Sequence, residues 1–214
     1  MEKSKFAKRQ VRLAGSERKR IILEEAIALF ASRGFHGVSL DQIAAAAKVT
    51  KPVLYDHFSS KQSLYIELSI TIRDRLLAAG NDVVLLSRTF RGRVRAGVEA
   101  FFSFAEKNPA AIRILLAPPR DSEKIYRAVL EIQEEATVSI MQMMLAAGVK
   151  MPEKESGRIQ LKIQAEFIKR GLHALAEWRT QNTAVSRDVV INAVTTLICS
   201  GLTVEQNRGE GISK

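Results

Sequence analysis

Apolar residues recur along this chain at intervals of three and four, the spacing that lines one side of a helix. Ile22, Ala26, Leu29 and Phe30, with Leu23 and Ile27 beside them, form a first stripe. Ser16 is expected to cap that helix, with Glu17 in its first turn, and Gly34 to end it as a C′ residue. A short second helix is predicted from about Leu40 to Ala46. Ser39 and Gln42 make a capping box there, and Val38 and Ile43 stand at the two positions of a hydrophobic staple. Its alanines, Ala44 to Ala47, allow another helix to cross closely. Thr50 is expected to cap a third helix, with Pro52 tolerated in the first turn and Val49 and Leu54 as a second staple. Farther on, the pattern predicts helices at about 61–80, 88–106, 109–116, 121–147, 154–180 and 186–206, with loops near Gly80 to Arg88, Asn108-Pro109, Pro118-Pro119 and Gly148 to Pro152. No internal repeat is present.

Composition supports an all-α chain. Gly and Pro together make only 17 of the 214 residues, fewer turn-makers than many short strands would need. The single cysteine, Cys199, cannot form an internal disulfide, so a reducing compartment is expected. No apolar run approaches a membrane span, and the basic N-terminus is followed by no apolar segment of the kind a secretion signal carries. A cytoplasmic protein with no membrane partner is the expectation.

Charge is placed unevenly. Residues 1–20 hold eight basic side chains against only Glu2 and Glu17. A basic arm on a nearly balanced body suits a polyanion, although a solvated tail would have the same composition. The three histidines, His36, His57 and His173, have no metal-ligand spacing, and no phosphate loop or nucleophile elbow is visible. No metal, no cofactor and no enzymatic activity are expected.

Two short helices joined by a turn of about three residues form a helix-turn-helix, or else a purely structural hairpin. The third helix, Lys51 to Phe58, turns Leu54 and Phe58 inward. Its outward residues Lys51, Tyr55 and His57, with Thr50, offer hydrogen-bond donors, and Val53 is a small apolar group of the kind that meets a thymine methyl. Lys61 adds charge to the free amides at the start of the next helix.

The stretch ILEEAIALFASRGFHGVSLDQIAAAAKVTKPVLYDHFSSKQSLY, within about Glu17 to Leu77, resembles the DNA-binding domain of the TetR/AcrR family of bacterial transcriptional regulators. Phe30, Gly34-Phe35, Ser39, Ile43-Ala44, Ala47, Val49, Leu54-Tyr55, His57-Phe58, Lys61 and Leu64 carry the likeness. The resemblance implies a three-helix DNA-binding domain at 17–77 after a basic arm at 1–16. A C-terminal helical effector-binding and dimerisation domain at 78–214 would follow. It further implies that Lys51, Pro52 and Val53 face base edges in the major groove while Ser39, Thr50, Tyr55, His57 and Lys61 hold phosphates. Lys48 departs from the family, which commonly has glycine at that position of the turn; a left-handed backbone there costs a lysine about 1 kcal/mol.

In the last two long helices apolar residues occupy most sides. Leu161, Ala165, Ile168, Leu172 and Leu175 form one stripe, and Ile159, Ile163, Phe167, Ala174 and Trp178 a second. Val190, Val194, Leu197, Gly201 and Val204 line one face of the final helix, with Ile191, Ile198 and Leu202 on another. Such helices need two partners each, met by a large core or, as the resemblance implies, by a homodimer whose helices pair as a four-helix bundle. Candidate effector-cavity residues are Phe101, Phe104, Leu115, Ile125, Val129, Met141, Met144, Phe167, His173 and Trp178, each of which could equally be plain core. The function implied is a sequence-specific regulator, a ligand-responsive repressor acting on a palindromic operator in double-stranded DNA. The helix from Lys61 to about Ala79 would be the lever between effector and DNA. The alternative is a helical protein that binds nucleic acid without sequence preference through its basic arm.

Overall fold

The computed structural model describes residues 2–84 and 86–203, with side chains over 15–84 and 86–202. Every regular element among them is a helix: α1 (Glu2–Arg33), α2 (Leu40–Ala46), α3 (Lys51–His57), α4 (Lys61–Val84), α5 (Phe90–Lys107), α6 (Pro109–Leu116), α7 (Glu123–Ala147), α8 (Glu155–Gln181) and α9 (Arg187–Thr203). Within the described residues no helix is long and apolar enough to cross a membrane, and no group of three His, Cys, Asp or Glu side chains is placed to hold a metal.

Three expectations about helix ends need correction. Ser16 lies inside α1, not at its start. Gly15 before it costs about 1 kcal/mol in a helix, too little to end one, and no proline intervenes. Thr50 occupies the N-cap of α3 with an extended backbone, but its hydroxyl makes no cap bond. Of the two amides an N-cap oxygen can accept from, that of the second residue is absent at Pro52, and that of the third, Val53, is not bonded by Thr50. The helix expected to stop near Gly80 continues to Val84. Gly80 is buried beside Met143, and a glycine costs a helix only about 1 kcal/mol, too little to end it there. Val204 and the rest of the expected 186–206 helix beyond Thr203 lie outside the described residues.

Contacts divide the chain into two units, Met1–Ile72 with Ala110–Leu130, and Arg73–Pro109 with Glu131–Lys214. This grouping is not the contiguous division at residue 77, since α6 and the start of α7 pack with the N-terminal helices. In the first unit Ile22, Leu23, Ala26 and Phe30 of α1 are buried with Ile43, Leu54, Phe58, Leu64 and Leu68. The Phe30, Phe35 and Tyr65 rings stack or meet edge to face at 5.3–5.8 Å. The Tyr65 hydroxyl donates to the Ile114 carbonyl at 3.2 Å, and burial pushes its pKa up to about 12. At the α6–α7 loop His36 meets Asp121 at 2.6 Å and Gln62 donates to Ser122 at 3.3 Å.

The second unit is built on α5, which packs against α9 and α8. Met144, Leu161, Ala165 and Leu202 form a buried cluster, with Met141, Ile168 and Ile198 packed around it. Arg93 donates to the Ala146 and Ala147 carbonyls, satisfying the end of α7 that a helix cannot satisfy itself.

Candidate nucleic-acid interface

The geometry of α2 and α3 follows from its caps. Ser39 Oγ accepts from the Gln42 amide at 3.2 Å, and Gln42 Oε1 accepts from the Ser39 amide at 2.9 Å, so the predicted capping box is present in full. Both staple partners, Val38 and Ile43, are buried. At its other end α2 closes with two reversed bonds, Lys48 N–H to Ala45 O at 3.2 Å and Val49 N–H to Ala44 O at 3.0 Å. This pair requires a left-handed residue at Lys48, whose φ is 54°, the one positive value at a non-glycine among the described residues. Ala44 and Ala47 are buried at the crossing. The turn therefore fixes α3 relative to α2 through backbone bonds and small side chains.

On α3, Leu54 and Phe58 point into the core while Lys51, Pro52 and Tyr55 are exposed and Val53 and His57 half-buried. Ser39 and Thr50 are exposed as well. Lys51 Nζ stands 2.6 Å from Asp41 Oδ2 of α2, and that carboxylate raises the lysine's pKa. The pair is open to water and salt and so holds weakly, leaving the ammonium available to a stronger anion. Asp41 was not legible as a partner, because residues ten apart meet only once the α2–α3 crossing is known.

Lys61 differs from its expected role. Its ammonium donates to the Phe35 and Val38 carbonyls, both at 3.0 Å, and lies 4.3 Å from the centre of the Phe35 ring. Two of its three donors thus hold the turn before α2, because carbonyls in such a turn need donors from outside the backbone ladder. Lys61 acts first as a clamp on the turn that leads into α2. The side chains of the basic arm before Gly15 lie outside the described residues.

The ten candidate effector residues are divided between the two units. Leu115, Ile125 and Val129 are buried in the first unit. Phe167 is 78% exposed and Trp178 42%, so neither lines an interior cavity of one chain; together with the exposed Ile159 and Ile163 they make an apolar outer face of α8. Phe101, Phe104, Met141, Met144 and His173 do share the second unit. His173 lies against the Phe101 ring at 5.4 Å, and burial, with the Lys169 and Arg170 charges, lowers its pKa to about 4.

Beside it stands a group that periodicity did not single out. Lys169 is buried on α8, donating to Gln133 O at 2.8 Å and to Thr137 Oγ1 and Glu166 Oε2 at 2.6 Å each. Glu166 is held down to about 2, burial opposing and the Lys169, Thr137 and Arg170 bonds favouring its charge. The only sign of this in the sequence is a lysine four residues after Ala165, in the middle of a buried stripe.

Comparison with known proteins adds to this geometry. Residues 22–68 match the family model of bacterial regulatory proteins, tetR family. The chain is 36% identical over 125 residues to the HTH-type transcriptional activator FasR of Mycolicibacterium smegmatis, a match covering 58% of this chain and 57% of FasR. It therefore spans a little over half of that relative's length. It is 23% identical over 158 residues to the biofilm operon icaADBC negative transcriptional regulator IcaR of Staphylococcus aureus, covering 69% of this chain and 81% of IcaR. In fold it is similar to the fatty acid degradation regulator FadR of Bacillus halodurans, with a TM-score of 0.72, 16% identity, and 86% and 96% of the two chains covered. The named relatives are transcriptional regulators, not enzymes.

Proposed function

Because this chain belongs to the tetR family of bacterial regulatory proteins, we propose that it is a homodimeric, ligand-responsive transcriptional regulator that binds a palindromic operator through α3. The observation that carries this is the presentation of α3. A capped and stapled α2 and a bonded turn hold Lys51, Pro52 and Val53 outward while Leu54 and Phe58 anchor the helix from behind. Lys51, Pro52 and Val53 then meet base edges, and Ser39, Thr50, Tyr55 and His57 contact the backbone and set register. Repression follows where the operator overlaps a promoter, in the cytoplasm where the DNA lies.

The dimer is supported by the second unit. Ile159, Ile163, Phe167 and Trp178 on α8 and Val189 and Leu197 on α9 are exposed, and Leu197 is 72% so. Gly171 and Gly201 have open space where a Cβ would stand. A second copy of the same two helices matches this face, because a twofold contact pairs each apolar row with its own kind. Paired α3 helices about 34 Å apart would read successive turns of one side of the duplex. Effector binding belongs to the second unit, around Phe101 and His173. It acts by favouring dimers of another spacing, with α4 as the lever.

The test is selection of bound sequences from a random duplex pool at two salt concentrations. A palindrome with half-sites about one helical turn apart is expected; binding without an enriched sequence that vanishes at higher salt would replace this reading with nonspecific association. Phe167→Asp is expected to sediment as a monomer and to lose the palindrome. Lys51→Glu with unchanged operator affinity would remove α3 as the reading helix.

A further inference from the structure

Lys48 occupies a backbone conformation that glycine adopts freely and a lysine does not. Its φ of 54° is imposed by the two bonds that close α2. The side chain itself does nothing for the turn, because both bonds are made by backbone groups. It is exposed, and among the described residues no carboxylate or carbonyl is bonded to its ammonium. The other two lysines between α2 and the start of α4 are engaged: Lys51 with Asp41, Lys61 with the Phe35 and Val38 carbonyls. A strained position filled by a long cation, two residues before the N-cap of the reading helix, points to a use outside the folded chain.

We propose that Lys48 is a DNA-contacting residue, an ammonium that grips a backbone phosphate beside the half-site read by α3. The assignment rests on the operator-binding reading above and adds to it a residue that a glycine in the turn could not supply. A phosphate contact of this kind fixes register and strengthens binding to every sequence alike. It makes an unusual combination of signs: replacing Lys48 relaxes the fold and weakens the complex.

The experiment uses the full chain and the duplex recovered by selection, titrated by fluorescence anisotropy from 0.05 to 0.3 M salt, with thermal unfolding measured on the same samples. Wild type is compared with Lys48→Gly, Lys48→Asn and Lys48→Arg, and with Lys150→Gln as a control for net charge. A dimer that loses one phosphate contact per half-site has a salt slope shallower by about 1.8 and affinity lower by about 60-fold at 0.1 M. Lys48→Gly and Lys48→Asn should both show this with the selected sequence unchanged, while Lys48→Arg and Lys150→Gln keep the wild-type slope. Lys48→Gly should also raise Tm, by about 1–3 °C. Unchanged slope and affinity in both Lys48→Gly and Lys48→Asn would overturn the assignment while leaving operator binding intact, and a changed selected sequence would overturn it in favour of a base contact. Wild type that selects no sequence removes the parent reading and this one together.

Discussion

Acid should weaken this protein well before its carboxylates titrate, and the cause is His173. Its imidazole lies against Phe101, and burial first, then the Lys169 and Arg170 charges, partly opposed by Glu166, hold its pKa near 4 in the fold against 6.5 in an open chain. A base with a depressed pKa stabilises the fold fully above the open-chain value, and that contribution is lost as pH falls from 6.5 toward 4, because the unfolded chain takes up the proton first. At pH 5 the open-chain ring is almost fully protonated and the folded ring about one-tenth so, which by linkage amounts to about 2 kcal/mol. Water reaches part of this half-buried ring, so about 1 kcal/mol is the lower bound after screening. With a denaturant slope of about 2 kcal/mol per molar, the urea midpoint should drop by about 0.5–1 M between pH 7 and pH 5. His173→Leu keeps an apolar group on Phe101 and cannot titrate, so its midpoint should fall less by that amount. The comparison is made at one protein concentration, since self-association of the kind proposed shifts apparent stability. His36 and His57 are present in both proteins and cancel in the difference. An equal drop in wild type and His173→Leu would refute the reasoning.

Other outcomes follow from the same structure. Glu166→Gln leaves the Lys169 ammonium buried with only neutral acceptors and should cost about 3 kcal/mol, whereas Lys169→Met removes the buried charge at similar volume and should cost less than about 1 kcal/mol; equal urea midpoints for the two variants would contradict this. In wild type the Glu166 contribution is present above pH 4.5 and lost as pH falls toward 2, a second acid step below that of His173. Ser39→Ala removes one arm of the α2 capping box and should cost about 1 kcal/mol, or about 2–4 °C in Tm, read by thermal unfolding followed by circular dichroism.

The helix-turn-helix was legible in the sequence because its signals are local. A capping box spans four residues and a staple six, and each is decided by which groups a short piece of backbone leaves unsatisfied. Ser39, Gln42, Val38 and Ile43 therefore act as their spacing predicts, and the strain at Lys48 follows from a turn too short for a right-handed path. The two stripes of α8 were also visible as periodicity, but not which faces inward. Leu161 and Ala165 are buried and Phe167 exposed because α5 and α7 cover one side of α8, a fact of packing that no interval along the chain encodes. Lys61 and Lys51 are equally cationic in the sequence, yet one is spent on the Phe35 and Val38 carbonyls and the other waits beside Asp41. Local backbone chemistry determined where the helices begin and turn; only tertiary contact decided which charges remain free, because a charge is silenced by whatever the fold brings within reach of it.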